Sequence, residues 1–167
     1  MAGNKNATEV LRADAQGIAR AAAILERGGL VAVPTETVYG LAARADSPDA
    51  VAKIYQAKGR PGFNPLIVHV TGAEQAGRYA AVNPKARELM DAYWPGPLTL
   101  VLPIRADCEL APAVTAGLPT LALRAPAHPV MRELLGVLDF PLAAPSANRS
   151  GYISPTSAQH VLETLDG

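Results

Sequence analysis

Proline and glycine interrupt this chain so often that no element within it can be long: 15 prolines and 14 glycines are spread through 167 residues. Proline ends helices and stays out of central strands, while glycine supplies turns. Short strands joined to helices by tight loops satisfy that spacing. LVAVPT (30–35) is valine-rich and almost wholly apolar, the pattern of a strand covered on both faces, and PLIVHV (65–70) is the clearest strand of all. Further strands are expected at 41–45, 98–104, 120–125 and 141–146. Helical periodicity covers 15–27, stopped by Gly28-Gly29, and a second helix opens at Ser47-Pro48, runs through Tyr55 and ends near Lys58-Gly59. Helices follow at 73–79, 84–93, 128–138 and 156–165. Strand and helix do not alternate strictly between 98 and 125. The expected fold class is therefore α/β (α+β), with a twisted, open, mixed β-sheet flanked by helices.

Length favours one domain over residues 1–167. Apolar types at 49% and charged types at 18% place the chain among globular domains and exclude a disordered tail. Lysine plus arginine (15) equals aspartate plus glutamate (15), so no overall field draws the chain to nucleic acid or membrane, and a polyanion must be held by a local cluster. The single cysteine, Cys108, and three scattered histidines offer no metal-ligand spacing, so no resident metal is expected. The polar N-terminus lacks a signal-type apolar run and no stretch approaches the length of a membrane span, which points to a cytoplasmic location.

Three segments concentrate groups able to do chemistry. PTETVYG (34–40) follows a buried strand, where α/β sheets place ligand-binding loops; Thr35 and Thr37 can meet a polar ligand there, or cap a helix starting at Glu36 or Thr37 with Tyr39 in the core. KGRPGFNPLIVHV (58–70) sets Lys58 and Arg60 two residues apart. They can grip a polyphosphate, or stay solvated at a helix C-terminus whose dipole they favour. AAPSANRSGYISPT (143–156) carries Ser146 and Asn148 two apart, which in extended chain point the same way, with Ser154 able to join them; the competing reading is a surface turn and a helix capped by Ser154 or Thr156. His69 and Arg124 sit inside apolar strands. The histidine fits a hydrogen-bonded core position or a ligand contact, and a buried guanidinium needs an anion, either a carboxylate of the fold or, the preferred reading, that of a ligand. Neither a P-loop nor a GxGxxG fingerprint is present, and no Ser-His-Asp order is convincing.

Taken in order, GGLVAVPTETVYGLAA, QAKGRPGFNPLIVHV, YWPGPLTLVLP, VTAGLPTLALRAPAHP and PLAAPSANRSGYISPT resemble the YrdC/TsaC family of threonylcarbamoyl-AMP synthases. The resemblance runs from about Gly28 to the C-terminus. It implies a YrdC-like domain, incomplete at its C-terminus, since members continue into another glycine-rich strand segment. It also implies a nucleotidyltransferase that makes L-threonylcarbamoyl-AMP from L-threonine, bicarbonate and ATP and releases pyrophosphate, with magnesium carried by the nucleotide. Partner proteins then transfer the threonylcarbamoyl group to tRNA. Carried over by motif position, Lys58 and Arg60 are the expected catalytic pair. Together with Asn64, Thr120, Ser146, Asn148 and Ser154 they form the expected ATP site. Thr37, His69, Arg124 and the backbone near Ala144 look toward L-threonine. The alternative from another class is a non-catalytic RNA-binding module that grips double-stranded RNA or tRNA; net neutrality and few aromatics argue against it.

Overall fold

In the computed structural model, residues 8–59, 64–148 and 154–165 are described. Six α-helices and six strands follow along them, with a 3-10 turn (Pro112–Val114) before β5: α1 (Ala15–Glu26), β1 (Val31–Val33), β2 (Gly40–Arg44), α2 (Pro48–Lys58), β3 (Ile67–His69), α3 (Ala73–Ala76), α4 (Pro84–Tyr93), β4 (Leu100–Pro103), β5 (Thr120–Arg124), α5 (Pro129–Val137), β6 (Leu142–Ala143) and α6 (Ala158–Leu165). Helix starts follow from the sequence. Asp14, Ser47 and Asn83 each accept a hydrogen bond from the backbone N–H three residues on, and proline stands in the first turn of α2 and α4. α2 stops at Gly59, whose φ of 62° is the left-handed conformation that glycine adopts without penalty. At α6 the expectation is corrected. Ser157, rather than Ser154 or Thr156, accepts from His160 N.

The strands form one sheet in the order β1-β2-β6-β3-β5-β4. Only β3 and β5 pair in parallel; the other four pairings are antiparallel, so the sheet is mixed as expected. Several expected strands are shorter than their apolar runs. The 30–35 run keeps only β1, and 141–146 keeps only β6, with Ser146 making an isolated bridge to Gly40.

Strand alternation sends the two faces of the sheet to different fates. Leu41, Ala43, Val68, Leu100, Leu102, Leu121, Leu123 and Ala143 point to one face, packed against Val51 and Ile54 of α2, Met90 of α4 and Val161 of α6. On the opposite face Val33, Ala42, Leu142 and Ala144 meet Ile18, Ala22 and Leu25 of α1 and Met131, Leu134 and Leu135 of α5. Each fully buried leucine there contributes roughly 1.5–3 kcal/mol relative to exposure. That second cover stops at β6. Beyond it, Ile67, Thr120 and Ala122 are only partly buried and Val101 is 63% exposed. The fold thus leaves half of one sheet face open, and the polar groups on β3 and β5 stand on that half.

Candidate functional site

His69 and Arg124 are direct neighbours in the parallel β3–β5 register. Both are buried, at 3% and 7% exposure. The Arg124 guanidinium is held from three directions: Nε donates to Gly96 O (3.2 Å), Nη1 to Thr37 Oγ1 (3.1 Å) and Nη2 to Glu36 Oε1 (2.5 Å). Of the two anions left open for a buried guanidinium, the fold therefore supplies its own, Glu36. The other Glu36 oxygen accepts from Ala127 N at 2.7 Å, which staples the 34–39 loop across the open face to the end of β5. No helix begins at Glu36 or Thr37, so the capping reading of these threonines fails.

The hydroxyl directions in that loop can be assigned. Thr35 Oγ1 lies 2.6 Å from Val38 O, a pure acceptor, so its proton goes there. It must then accept from Thr37 Oγ1 at 3.0 Å, as it does from Thr37 N at 3.2 Å. Thr37 in turn accepts from Arg124. A directed chain of hydrogen bonds thus runs Arg124 to Thr37 to Thr35 to Val38 O, which orients the Thr37 hydroxyl.

Electrostatics match this geometry. Burial pushes the His69 pKa down, the Arg124 charge pushes it further, and the Ile67 carbonyl and Glu36 only partly offset them; the result is about 4, so the imidazole is neutral at pH 7. For Glu36 burial works upward, but hydrogen bonds from its own backbone N–H and from Ala127 N, together with Arg124, outweigh it and hold the carboxyl below its ordinary value. Glu36 is ionised at neutral pH.

A second group gathers at the other end of β3. Lys58, at the close of α2, is only 2% exposed, and its ammonium donates to the carbonyls of Ser146 and Asn148, both at 2.5 Å. The solvated reading of Lys58 is therefore wrong. Its side chain runs inward and braces the S-x-N segment from beneath. Asn148 N donates to Ser146 O at 2.9 Å, and Asn148 is 4% exposed. The Tyr55 hydroxyl, one turn before Lys58, reaches Asn64 O at 2.7 Å and Ala113 O at 2.8 Å, fixing the chain that enters β3. Thr120, first in β5, shares the open face with Arg124 by alternation.

The two groups are joined through the backbone. Leu41 N donates to Pro145 O (2.7 Å), Ala147 N to Tyr39 O (2.7 Å) and Ala144 N to Ile67 O (3.0 Å). These bonds seat the end of the 34–40 loop, β3 and the 143–148 segment against one another. Gly40 permits it: a Cβ there would lie 3.3 Å from Ala144 Cβ. Ser154 is exposed, beside Pro155, whose carbonyl accepts from Tyr39 N at 2.8 Å. Thr37, His69 and Arg124 therefore lie at or around the His69 end of β3, and Lys58, Asn64, Thr120, Ala144, Ser146 and Asn148 toward the Ile67 end. From residue 67 to residue 69 a strand rises about 7 Å, so one ligand of two joined parts can span both. Arg60 lies outside the described residues.

Sequence reasoning assigned no site role to Glu36 or Gly96. A signal for the first existed: Glu36 is the one carboxylate within 34–40, 58–70, 120–126 and 143–156. Gly96 sits in the YWPGP turn, donates to Ala125 O at 2.8 Å, and has no room for a side chain, since a Cβ would fall 2.4 Å from Tyr93 O. Among the described residues, a concavity of about 630 Å³ lies beside α3 and α4, and one of about 560 Å³ between α1, β1 and α6 reaches Pro34 and Tyr39 of the 34–40 loop.

The family model for Sua5, YciO and YrdC, described as "Telomere recombination", matches residues 23–167. The chain belongs to this Sua5/YrdC family. Against the threonylcarbamoyl-AMP synthase of Bacillus subtilis (strain 168) it is 52% identical over 161 residues, which is 96% of this chain and 46% of that protein. Against the synthase of Halorhodospira halophila identity is 42% over 134 residues, 80% of this chain and 69% of that one. The crystal structure of P. abyssi Sua5 complexed with L-threonine superimposes with a TM-score of 0.86 at 47% identity, over 93% of this chain and 45% of that chain. The chain thus spans less than half the length of its Sua5-type relatives from B. subtilis and P. abyssi.

Proposed function

We propose that the protein is an L-threonylcarbamoyladenylate synthase, forming L-threonylcarbamoyl-AMP and pyrophosphate from L-threonine, bicarbonate and ATP for the threonylcarbamoyladenosine modification of tRNA. The observation that carries this reading is the pairing, on one open sheet face, of a rigid guanidinium corner (Arg124, Thr37, Glu36) with a lysine-braced Ser146-Asn148 segment. The names of the relatives support it, as does the L-threonine held by P. abyssi Sua5.

In this mechanism Arg124 takes the amino-acid carboxylate, and Thr37, the neutral His69 and the backbone near Ala144 shape the pocket around the rest of L-threonine. The amine attacks the carbon of bicarbonate and water leaves, giving a carbamate that persists because its partners are held in place. The carbamate oxygen then attacks the α-phosphorus, and the bond to pyrophosphate breaks. Ser146, Asn148, Asn64, Thr120 and Ser154 hold the nucleotide. Lys58 acts from below the Ser146-Asn148 segment, where its charge favours phosphate without leaving its carbonyls, and Arg60 completes the cationic pair. The described residues contain no group of three His, Cys, Asp or Glu able to hold a resident metal. Magnesium would enter with the nucleotide, bound to its phosphates, and would help offset the charge that spreads onto the pyrophosphate.

The product is a mixed anhydride that water destroys, so threonylcarbamoyl-transfer proteins acting on tRNA are the fitting partners. Among the described residues no helix is long and apolar enough to cross a membrane, and we place the protein in the cytoplasm with its tRNA. The test is pyrophosphate release from ATP, with and without L-threonine and bicarbonate. Saturable, threonine-dependent release is expected. ATP turnover indifferent to L-threonine would overturn the assignment, and steeply salt-dependent RNA binding without any turnover would favour the RNA-binding module, which nothing in the site now favours.

A further inference from the structure

A guanidinium alone attracts any carboxylate, yet at this site it is paired at close range with a second charge of opposite sign. Arg124 has five N–H donors, of which three are engaged among the described residues, leaving one N–H on each terminal nitrogen for a ligand. The Glu36 carboxylate accepts from Arg124, from Ala127 N and from its own backbone N–H, which leaves about one of its four acceptor positions for a ligand. The Glu36 side chain is also the more open of the two, at 23% against 9%. The corner therefore presents adjacent positive and negative surfaces with no net charge, beside a neutral His69. That is the complement of a zwitterion, an α-carboxylate next to an α-ammonium, and not of a simple monoanion.

We infer that Glu36 is a specificity-determining residue that reads the α-ammonium of the amino acid, while Arg124 reads its carboxylate. This rests on the assignment of an amino-acid substrate to the Arg124 corner. Glu36 selects at the encounter stage, and the amine gives up its proton to solvent before it attacks. A carboxylate lacking the amine would lose the Glu36 contact and bring an uncompensated negative charge against it.

The experiment is calorimetric titration of the purified protein with L-threonine and with (R)-3-hydroxybutyrate, which is L-threonine with the amino group replaced by hydrogen. Wild type should bind L-threonine at least about tenfold more tightly, as expected for a charge-assisted contact. Glu36→Gln should lose at least about tenfold in L-threonine affinity with little loss for 3-hydroxybutyrate, collapsing the preference, whereas Glu36→Asp, which retains the charge, should keep it. ATP affinity and thermal midpoint report whether each variant is folded. A Glu36→Gln protein that discriminates like wild type, or binds both ligands more tightly because a competing internal carboxylate has gone, overturns the inference alone. Equal loss for both ligands in Glu36→Gln and Glu36→Asp also overturns it, reducing Glu36 to a brace for Arg124. Absence of L-threonine binding to wild type overturns the site assignment itself.

Discussion

Replacing Lys58 by methionine removes the ammonium while keeping a chain of similar length, and so separates bracing from phosphate binding. In the structure that ammonium donates to the Ser146 and Asn148 carbonyls, the first partly buried and the second buried, from a side chain 2% exposed. An unsatisfied buried acceptor costs about 1–3 kcal/mol. The partly buried one recovers some of this from water, so the ligand-free protein should lose about 2–4 kcal/mol. At roughly 2–4 °C per kcal/mol for a domain of this size, the thermal midpoint should fall by at least about 4 °C. Urea unfolding should show a lower midpoint with unchanged slope, the sign of a true stability change. Threonine-dependent pyrophosphate release should fall sharply, because the Ser146-Asn148 segment loses its support. A Lys58→Met protein as stable as wild type without ligand, but with weakened ATP binding, would refute the bracing role and return Lys58 to the solvent-facing phosphate clamp.

Three further outcomes follow from the same geometry. Gly96→Ala should push the turn away from Tyr93 O, disturb the Arg124 Nε contact and weaken L-threonine binding in calorimetry by several-fold, at a stability cost on the order of 1–3 kcal/mol. Thr37→Val keeps shape but breaks the hydroxyl chain from Arg124 to Val38 O, and should raise the KM for L-threonine while leaving that for ATP within about twofold. His69 binds its proton less readily folded (about 4) than unfolded (6.5), so between these values the unfolded chain holds more protons and stability must drop as pH falls from 6.5 toward 4. The full effect is on the order of 3 kcal/mol; equilibrium unfolding between pH 6.5 and 5 should show part of it, and His69→Leu should flatten that slope.

Much of the candidate site was legible before any coordinates. His69 and Arg124 share one face because each sits in an apolar run whose alternation the sequence shows directly, and Thr37, Ser146 and Asn148 follow such runs. The partners were not legible. Glu36 meets Arg124 across 88 positions, and Lys58 reaches its two carbonyls across 88 and 90. The solvated reading of Lys58 failed for that reason: nothing near it in sequence reveals that the end of α2 faces inward.

Sequence by itself determined the features whose causes act over a few residues: the caps at Asp14, Ser47 and Asn83, the stop at Gly59, and which residues of each strand share a face. Tertiary structure decided the rest. Because β6, nearly last in the chain, inserts between β2 and β3, the 143–148 segment arrives beside the 34–40 loop. Because the cover formed by α1 and α5 ends at β6, the polar faces of β3 and β5 stay open to a ligand. Strand order is set by the summed burial of the whole sheet, a quantity no single segment carries.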